Sequence, residues 1–248
     1  MDGGVLTFIV VALTFLFGGY VKGVIGVGLP TIAMGLLSLT MPPAQAAALL
    51  IAPTLATNIW QAAAGSRMAA LLRRLWSMFL GICIGTWASA GFLTTGDGDR
   101  AITMLGIVLS LYAVFGLTAF RFSVTARAEP WLSPLVGAMT GVASAATGVF
   151  MIPSVPYLQA LAFDKDELVQ AIGLSVLVST VSLAAILVRD GALHTSIASA
   201  SLASVVPSLL GMLLGQMTRG RLSPDIFRLC FFSGLFMLGA TLALRTVL

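Results

Sequence analysis

The chain has 248 residues, of which 58% are hydrophobic and only 9% are charged, and its net charge is +4. Soluble domains carry about 25% charged residues, so this composition excludes a soluble globular protein and predicts an all-α polytopic membrane protein. The basic residues are scattered between apolar segments, which excludes a nucleic-acid-binding surface made of clustered charge.

Charged and turn-forming residues divide the chain into ten apolar segments, and several reach the roughly 20 residues that span a bilayer. The first five lie at 5–21, 24–40, 44–63, 75–94 and 101–120, and the second five at 131–147, 149–163, 168–188, 196–217 and 229–246. The first two segments of each set are short and share one apolar run. They form either two full spans or a pair that dips into the membrane and returns. We therefore expect eight to ten transmembrane or half-membrane helices.

A glycine-rich stretch at residues 18–30 interrupts the first apolar run and also contains Lys22 and Pro30. A weaker copy occupies residues 137–153. Glycine and proline disfavour a continuous helix, and irregular backbone at membrane depth persists only where it is buried in protein or lines a cavity. We therefore expect both stretches to break helices near the midplane. Breaks at matching places in two halves indicate the binding site of a transporter.

The two sets of segments also match in their small-residue patterns, which allow helices to approach closely. The matching pairs are Gly19-x3-Gly23 with Gly137-x3-Gly141, and Gly81-x3-Gly85 with Gly211-x3-Gly215. We interpret the chain as one membrane domain with repeat half 1 at residues 1–122, a connecting loop at 123–130 and repeat half 2 at 131–248. Loop charges place the loop of Asp97 outside and the corresponding loop of half 2 inside. This difference predicts inverted repeats.

All nine acidic residues fall in termini, loops or helix ends, so we expect no carboxylate at the midplane. Proton relays and cation sites in membranes usually need one, and this absence favours an anion as the substrate. Lys22 is the single candidate charge inside the membrane. A bound anion would neutralise it; alternatively, Lys22 lies near the end of the first helix and extends to the cytoplasmic headgroups.

The candidate substrate-binding residues combine Lys22 with the glycines of the breaks and with neutral polar groups, because hydroxyls, amides and the N–H groups of broken helix ends can hold an anion. The set is Lys22, Gly23, Gly26, Gly28, Pro30, Thr54, Thr57, Asn58, Thr140, Gly141, Ser144, Thr147, Gly148, Ser175 and Ser179. Any one of these hydroxyls alone is more often an interhelical hydrogen bond than a ligand. Gln45 and Gln170, each near the start of its helix, are either helix caps or gate residues.

Motifs for catalysis or cofactor binding are missing from the sequence. The single histidine, His194, lies in a loop, Cys83 and Cys230 lie in separate apolar segments, and no GxxxxGK[ST] loop occurs. Nucleophilic catalysis needs a nucleophile beside a base, and metal sites need clustered ligands. We therefore expect no enzyme activity, no catalytic residue, no metal site and no cofactor.

The pattern Gly19-x3-Gly23-x2-Gly26-x-Gly28-x-Pro30, the following helix at 42–58 and their echoes at 137–153 and 166–180 resemble the sulfite exporter TauE/SafE family over nearly the whole chain. The resemblance implies a multi-pass transporter of the bacterial inner membrane that exports small sulfur-containing anions, such as sulfite, sulfoacetate or similar organosulfonates. Transport would proceed by alternating access, with one repeat rocking against the other.

The resemblance also implies which partners the protein has. They would be the anion and the lipid bilayer, with no nucleic acid, and a homo-oligomer is compatible with this interpretation. The alternatives are a non-catalytic membrane scaffold or assembly protein, and a permease for another small anionic solute. A scaffold needs no paired helix breaks, so an unbroken helix at residues 23–28 would favour it.

Overall fold

The computed structural model describes residues 3–96, 98–118 and 123–245. Asp97, predicted in an external loop, lies outside the described residues. Over these ranges the secondary structure consists of twelve α-helices and one 3-10 turn. They are α1 Gly3–Ile25, α2 Leu29–Leu37, α3 Pro43–Ala63, α4 Met68–Ala88, α5 Phe92–Thr95, α6 Gly98–Thr118, α7 Glu129–Thr147, α8 Ser154–Ala160, α9 Lys165–Arg189, α10 Thr195–Ala203, α11 Val205–Thr218 and α12 Pro224–Leu244, with the 3-10 turn at Arg219–Arg221.

Seven stretches of the described chain are long and apolar enough to cross a membrane. They are Val5–Ile25, Pro43–Ala63, Met68–Ala88, Gly98–Thr118, Lys165–Arg189, Thr195–Arg221 and Asp225–Leu244. In contrast, α2 has 9 residues and α8 has 7, which at about 1.5 Å per residue is far short of a bilayer. The prediction of an all-α membrane protein with full and half-membrane helices is confirmed, and α2 and α8 are the half-membrane ones.

Both helix breaks are narrower than the glycine pattern predicts. Helix α1 continues through Gly23 to Ile25, and the chain then turns at Gly26 and Gly28, whose φ angles are 82° and 114°. Helix α7 likewise continues through Gly141 to Thr147 and ends at Gly148, with φ 67°. These positive φ angles are readily available only to glycine. The prediction that Gly23 and Gly141 lie within the breaks is therefore wrong.

Gly23 and Gly141 instead allow helices to pack backbone to backbone. A Cβ added at Gly23 would collide with the carbonyl oxygen of Met212 on α11, and one added at Gly141 with the carbonyl oxygen of Ile82 on α4. Gly211 and the other glycines of the four small-residue pairs meet neighbouring backbone in the same way. Such close approach maximises van der Waals contact where lipid provides no hydrophobic driving force.

The glycine pairs join the two halves of the chain reciprocally. The first helix of half 1, α1, packs on α11 of half 2, and the first helix of half 2, α7, packs on α4 of half 1. The remaining long helices pair with their own counterparts, α3 with α9 and α6 with α12. This exchange is the arrangement that a two-fold relation between repeats would produce. The opposite orientation of the repeats in the membrane stays a prediction.

Helices α3 and α9 are counterparts residue by residue. A shift of 125 residues carries the buried positions of α3, from Ala46 to Ala62, onto the buried positions of α9, from Ala171 to Leu187, with two mismatches. The same shift carries Gln45 onto Gln170. The two helices therefore present equivalent faces to the protein interior.

Pro53 interrupts the hydrogen bonding of α3 at its centre. A proline has no N–H, so the carbonyl four residues earlier loses its helical partner, and here that carbonyl belongs to Leu49. Ser201 of α10 replaces the missing donor: its hydroxyl donates to the Leu49 carbonyl at 2.8 Å and accepts from the Ala52 N–H at 3.0 Å. A side chain of half 2 thus completes the backbone bonding of a helix of half 1.

Candidate anion site

Lys22 lies in the last turn of α1 and points into the protein. Its side chain is only 4% exposed, and its ammonium Nζ donates to the hydroxyl oxygen of Thr57 on α3 at 3.2 Å. Within the described residues, no carboxylate forms an ion pair with it. The alternative in which Lys22 extends to the headgroups is therefore wrong, because the ammonium is covered and bonded inside the protein.

The α3 face opposite Lys22 carries three buried polar side chains. The Thr57 hydroxyl donates its proton to the Pro53 carbonyl at 2.9 Å, so its oxygen is free to accept from Lys22. The Asn58 amide nitrogen donates to the Thr54 carbonyl at 2.8 Å. The Thr54 hydroxyl, in contrast, is fully buried and has no hydrogen-bond partner among the described residues.

Helix α9 supplies two more buried hydroxyls without a partner in the described structure, those of Ser175 and Ser182. Ser182 was missed from the sequence, although the shift of 125 residues identifies it as the counterpart of Thr57. Ser179 behaves differently, because its hydroxyl donates to the Ser175 carbonyl at 3.0 Å. An unpaired buried hydroxyl costs about 1–3 kcal/mol, so Thr54, Ser175 and Ser182 have unused hydrogen-bonding capacity. Ser38, at the end of α2, is the fourth such hydroxyl among the described residues.

The three predicted hydroxyls of α7 are occupied within their own helix. Thr140 donates to the Val136 carbonyl at 2.8 Å, Ser144 to the Thr140 carbonyl at 2.5 Å, and Thr147 to the Ala143 carbonyl at 2.7 Å. Each hydroxyl has a single proton, so none of them donates to a ligand in this arrangement. Thr147 also accepts from the Val149 N–H at 3.3 Å and so supports the second break.

The second helix break contacts α2 and α6 inside the protein. Thr31 of α2 donates to the thioether sulfur of Met151, within the second break, at 3.4 Å, and the Tyr112 hydroxyl of α6 donates to the same sulfur at 3.6 Å. The side chain of Met34, also on α2, packs so closely on Gly148 that a Cβ there would displace it. Met151 could not be predicted as a polar contact from the sequence, because methionine in an apolar run normally indicates packing.

The first break has open space beside it. A Cβ added at Gly26 would find no atom within 4 Å among the described residues, and the Gly26 N–H donates to the Lys22 carbonyl at 2.7 Å. Pro30 is buried in the first turn of α2, where the fixed φ of proline suits a helix start. The open space therefore adjoins the last turn of α1, which also carries Lys22.

The predicted set divides into groups by these contacts. Lys22 bonds to α3, the second break bonds to α2 and α6, and Gly23 and Gly141 serve helix packing. Among His, Cys, Asp and Glu of the described residues, no cluster of three or more could hold a metal ion. The chemistry available at the site is thus one buried ammonium together with neutral hydroxyls and amides.

Comparison with known proteins identifies one family. The family model for the sulfite exporter TauE/SafE matches residues 11–242. Searches of curated proteins and of solved structures return no significant match. The matched region covers nearly the whole chain, including both helix breaks and the central helices α3 and α9. Members of this family are membrane transporters rather than enzymes. The chain therefore belongs to the sulfite exporter TauE/SafE family.

Proposed function

We propose that the protein transports a small sulfur-containing anion, such as sulfite, sulfoacetate or a similar organosulfonate, across the bacterial inner membrane by alternating access. The observation that carries this proposal is the buried ammonium of Lys22, which has a hydroxyl partner but no carboxylate within the described residues. A lysine at membrane depth costs about 2.5–3.5 kcal/mol on insertion scales. An anionic substrate offsets that cost when it binds.

The remaining contacts to the anion come from the unpartnered hydroxyls. Thr54 and Ser175 sit on counterpart helices, are buried and have protons that no described group accepts. Oxyanions accept several hydrogen bonds, so two neutral donors and one ammonium match a small sulfonate or sulfite. Asn58 and the backbone of the first break, at Gly26 and Gly28, complete the proposed site beside Lys22.

The driving force for export requires no additional site. The negative interior of a cell favours the exit of an anion by about 2.3 kcal/mol per charge at 100 mV. No membrane carboxylate needs to relay a proton for this transport. We propose that a uniport mechanism driven by the anion gradient and the membrane potential suffices.

Flux of radiolabelled sulfite in proteoliposomes tests the proposal. Wild-type protein should show saturable flux, reduced by competing sulfoacetate or thiosulfate and unaffected by chloride. Lys22→Met keeps a side chain of similar length without the charge and should lower the flux at least tenfold, since hydrogen bonds to charged groups contribute about 1.5–3 kcal/mol. Lys165→Met is the matched control, because Lys165 is the chain's other lysine and is exposed.

The charge of the substrate provides a sharper test of the role of Lys22. Its replacement should reduce transport of divalent thiosulfate more than that of monovalent methanesulfonate. An equal reduction for both anions would contradict direct charge pairing. Absence of flux for every anion, with and without an imposed potential, would contradict transport itself and favour the membrane scaffold.

A further inference from the structure

The two halves contain equivalent corners at opposite ends of α3. The first corner joins α3 to α4 at residues 64–67, and the second joins α9 to α10 at residues 190–194. Gln170, at the start of α9, contacts the first corner. Its counterpart Gln45, at the start of α3, lines a cavity with Ser196 of α10, just beyond the second corner. Gln45 and Ala62 are 17 residues apart on α3, or about 25 Å at 1.5 Å per residue, so the corners lie far from each other.

Gln170 fastens the first corner completely. Its side chain is 1% exposed; its amide nitrogen donates to the carbonyls of Ala62 at 2.7 Å and Gly65 at 2.9 Å, and its amide oxygen accepts from the Arg67 N–H at 3.1 Å. A Cβ at Gly65 would collide with this amide. One side chain therefore ties the end of α3 and the beginning of α4 to α9.

The second corner has no equivalent glutamine tie; the Thr94 hydroxyl of α5 donates instead to its Asp190 carboxylate at 2.6 Å. Gln45 is exposed, and among the described residues no group holds its amide. It lines a mainly apolar cavity of about 720 Å³ between α1, α3, α10 and α11, together with Met41 and Ser196. The Leu187 carbonyl, the counterpart of the Ala62 carbonyl, accepts from the N–H groups of Ala192 at 2.9 Å and Leu193 at 3.1 Å instead.

We propose that Gln45 and Gln170 are the paired latches of the transport gate, with Gln170 holding one end closed while the end guarded by Gln45 stands open. The proposal rests on the transport function proposed above. In the opposite state, the Gln45 amide binds the second corner as Gln170 binds the first, and Gln170 releases its three hydrogen bonds. Because the helices are counterparts, the two states exchange the roles of the two halves.

Cross-linking at both ends measures this exchange. Ser66 and Asp166 line a cleft of about 500 Å³ at the end that Gln170 holds. The shift of 125 residues carries Asp166 back onto Met41, and the shift of 130 that relates Gly81 to Gly211 carries Ser66 onto Ser196. Met41 and Ser196 both line the cavity at the end of Gln45. Cysteines are introduced in matched pairs, 66 with 166 and 196 with 41, in a protein lacking the two native cysteines. A short bifunctional thiol reagent then reports how often each end is closed, without any substrate.

The two latch variants should shift the cross-linking in opposite directions. Gln170→Leu removes three hydrogen bonds to the corner, one buried and two partly buried, so cross-linking at the 66/166 pair should fall about tenfold relative to the 41/196 pair. Gln45→Leu should lower the yield of the 41/196 pair and leave the 66/166 pair at or above its wild-type yield. Gln170→Glu keeps the shape and the acceptor but loses the amide donors, and should give an intermediate result.

A general loss of stability does not produce opposite shifts, so equal changes in both variants would overturn the latch proposal. Unchanged ratios in all three variants, each monodisperse and of wild-type helicity, would overturn it as well. The sulfite assay separates this outcome from failure of the transport proposal. Opposite shifts without sulfite flux reject the substrate and retain the gate, whereas flux without the shifts rejects only the latches.

Discussion

The repair of α3 by Ser201 gives the most quantitative prediction about stability. The Ser201 hydroxyl is 2% exposed and satisfies two backbone groups at once, the Leu49 carbonyl and the Ala52 N–H. Ser201→Ala removes both bonds and adds no bulk. Leaving a buried polar group unsatisfied costs about 1–3 kcal/mol, so the free energy of unfolding should fall by about 2–4 kcal/mol.

The reason for this cost can be tested by restoring the helix itself. Pro53→Ala returns an N–H to position 53, and that N–H bonds the Leu49 carbonyl in the normal helical pattern. In this background Ser201→Ala leaves only the Ala52 N–H to be satisfied, so its cost should fall to about 1–2 kcal/mol. The double-mutant cycle should therefore give a coupling energy of about 1–2 kcal/mol.

Equilibrium unfolding of the four proteins in one detergent, followed by circular dichroism, provides the four free energies. Ser199→Ala is the matched control, because Ser199 lies on the same helix, is exposed and bonds only within α10. It should change stability by less than about 0.5 kcal/mol. Additive costs in the cycle, with Ser201→Ala equally damaging in both backgrounds, would refute the assignment of Ser201 to the gap left by Pro53.

Two further substitutions test the helix contacts. Gly85→Leu should prevent folding, because even a Cβ there would collide with the Ala138 backbone. Gly234→Leu is the control: this helical glycine has open space beside it, so the variant should fold. Equal yields of monodisperse protein from the two variants would contradict this prediction. Arg74→Met removes a two-bond contact to Glu129, at 2.7 and 2.9 Å. Because the arginine is partly exposed, the free energy of unfolding should fall by only about 1 kcal/mol in denaturant titrations. No change after Glu129→Gln in the Met variant would support the pairing, and a further loss of similar size would contradict it.

The fold could be predicted well from the sequence, because membrane-spanning helices are recognisable as long apolar segments. Apolar runs bounded by charges gave the long helices, and the prediction of short, broken segments is confirmed at α2 and α8. The role of each glycine within the glycine-rich stretches was harder to predict. The same residue serves both helix packing and positive φ angles, so sequence alone did not separate Gly23, which packs, from Gly26, which turns.

The site could be predicted only in part, since hydrogen-bond partners depend on tertiary contacts. Lys22 and Thr57 were both in the predicted set. They are 35 residues apart in sequence and lie on different helices, so their contact could not be predicted. Thr140 was chosen for the same reason as Thr54, yet the structure occupies its proton within α7 and leaves that of Thr54 unused. Ser182 was not predicted as a site residue, because only the burial patterns of α3 and α9 show that it corresponds to Thr57.

The pairing of helices also restricts how such a protein can move. Rocking of one sequence half against the other would have to separate α1 from α11 and α4 from α7, the two contacts in which glycines bring backbones together. At these glycines the backbones touch directly, so separating the helices would lose that packing. We therefore expect that, in transport by alternating access, each moving body contains helices of both halves. We propose that helices α3 and α9, which carry most of the candidate site together with Gln45 and Gln170, are the elements whose contacts such a movement exchanges.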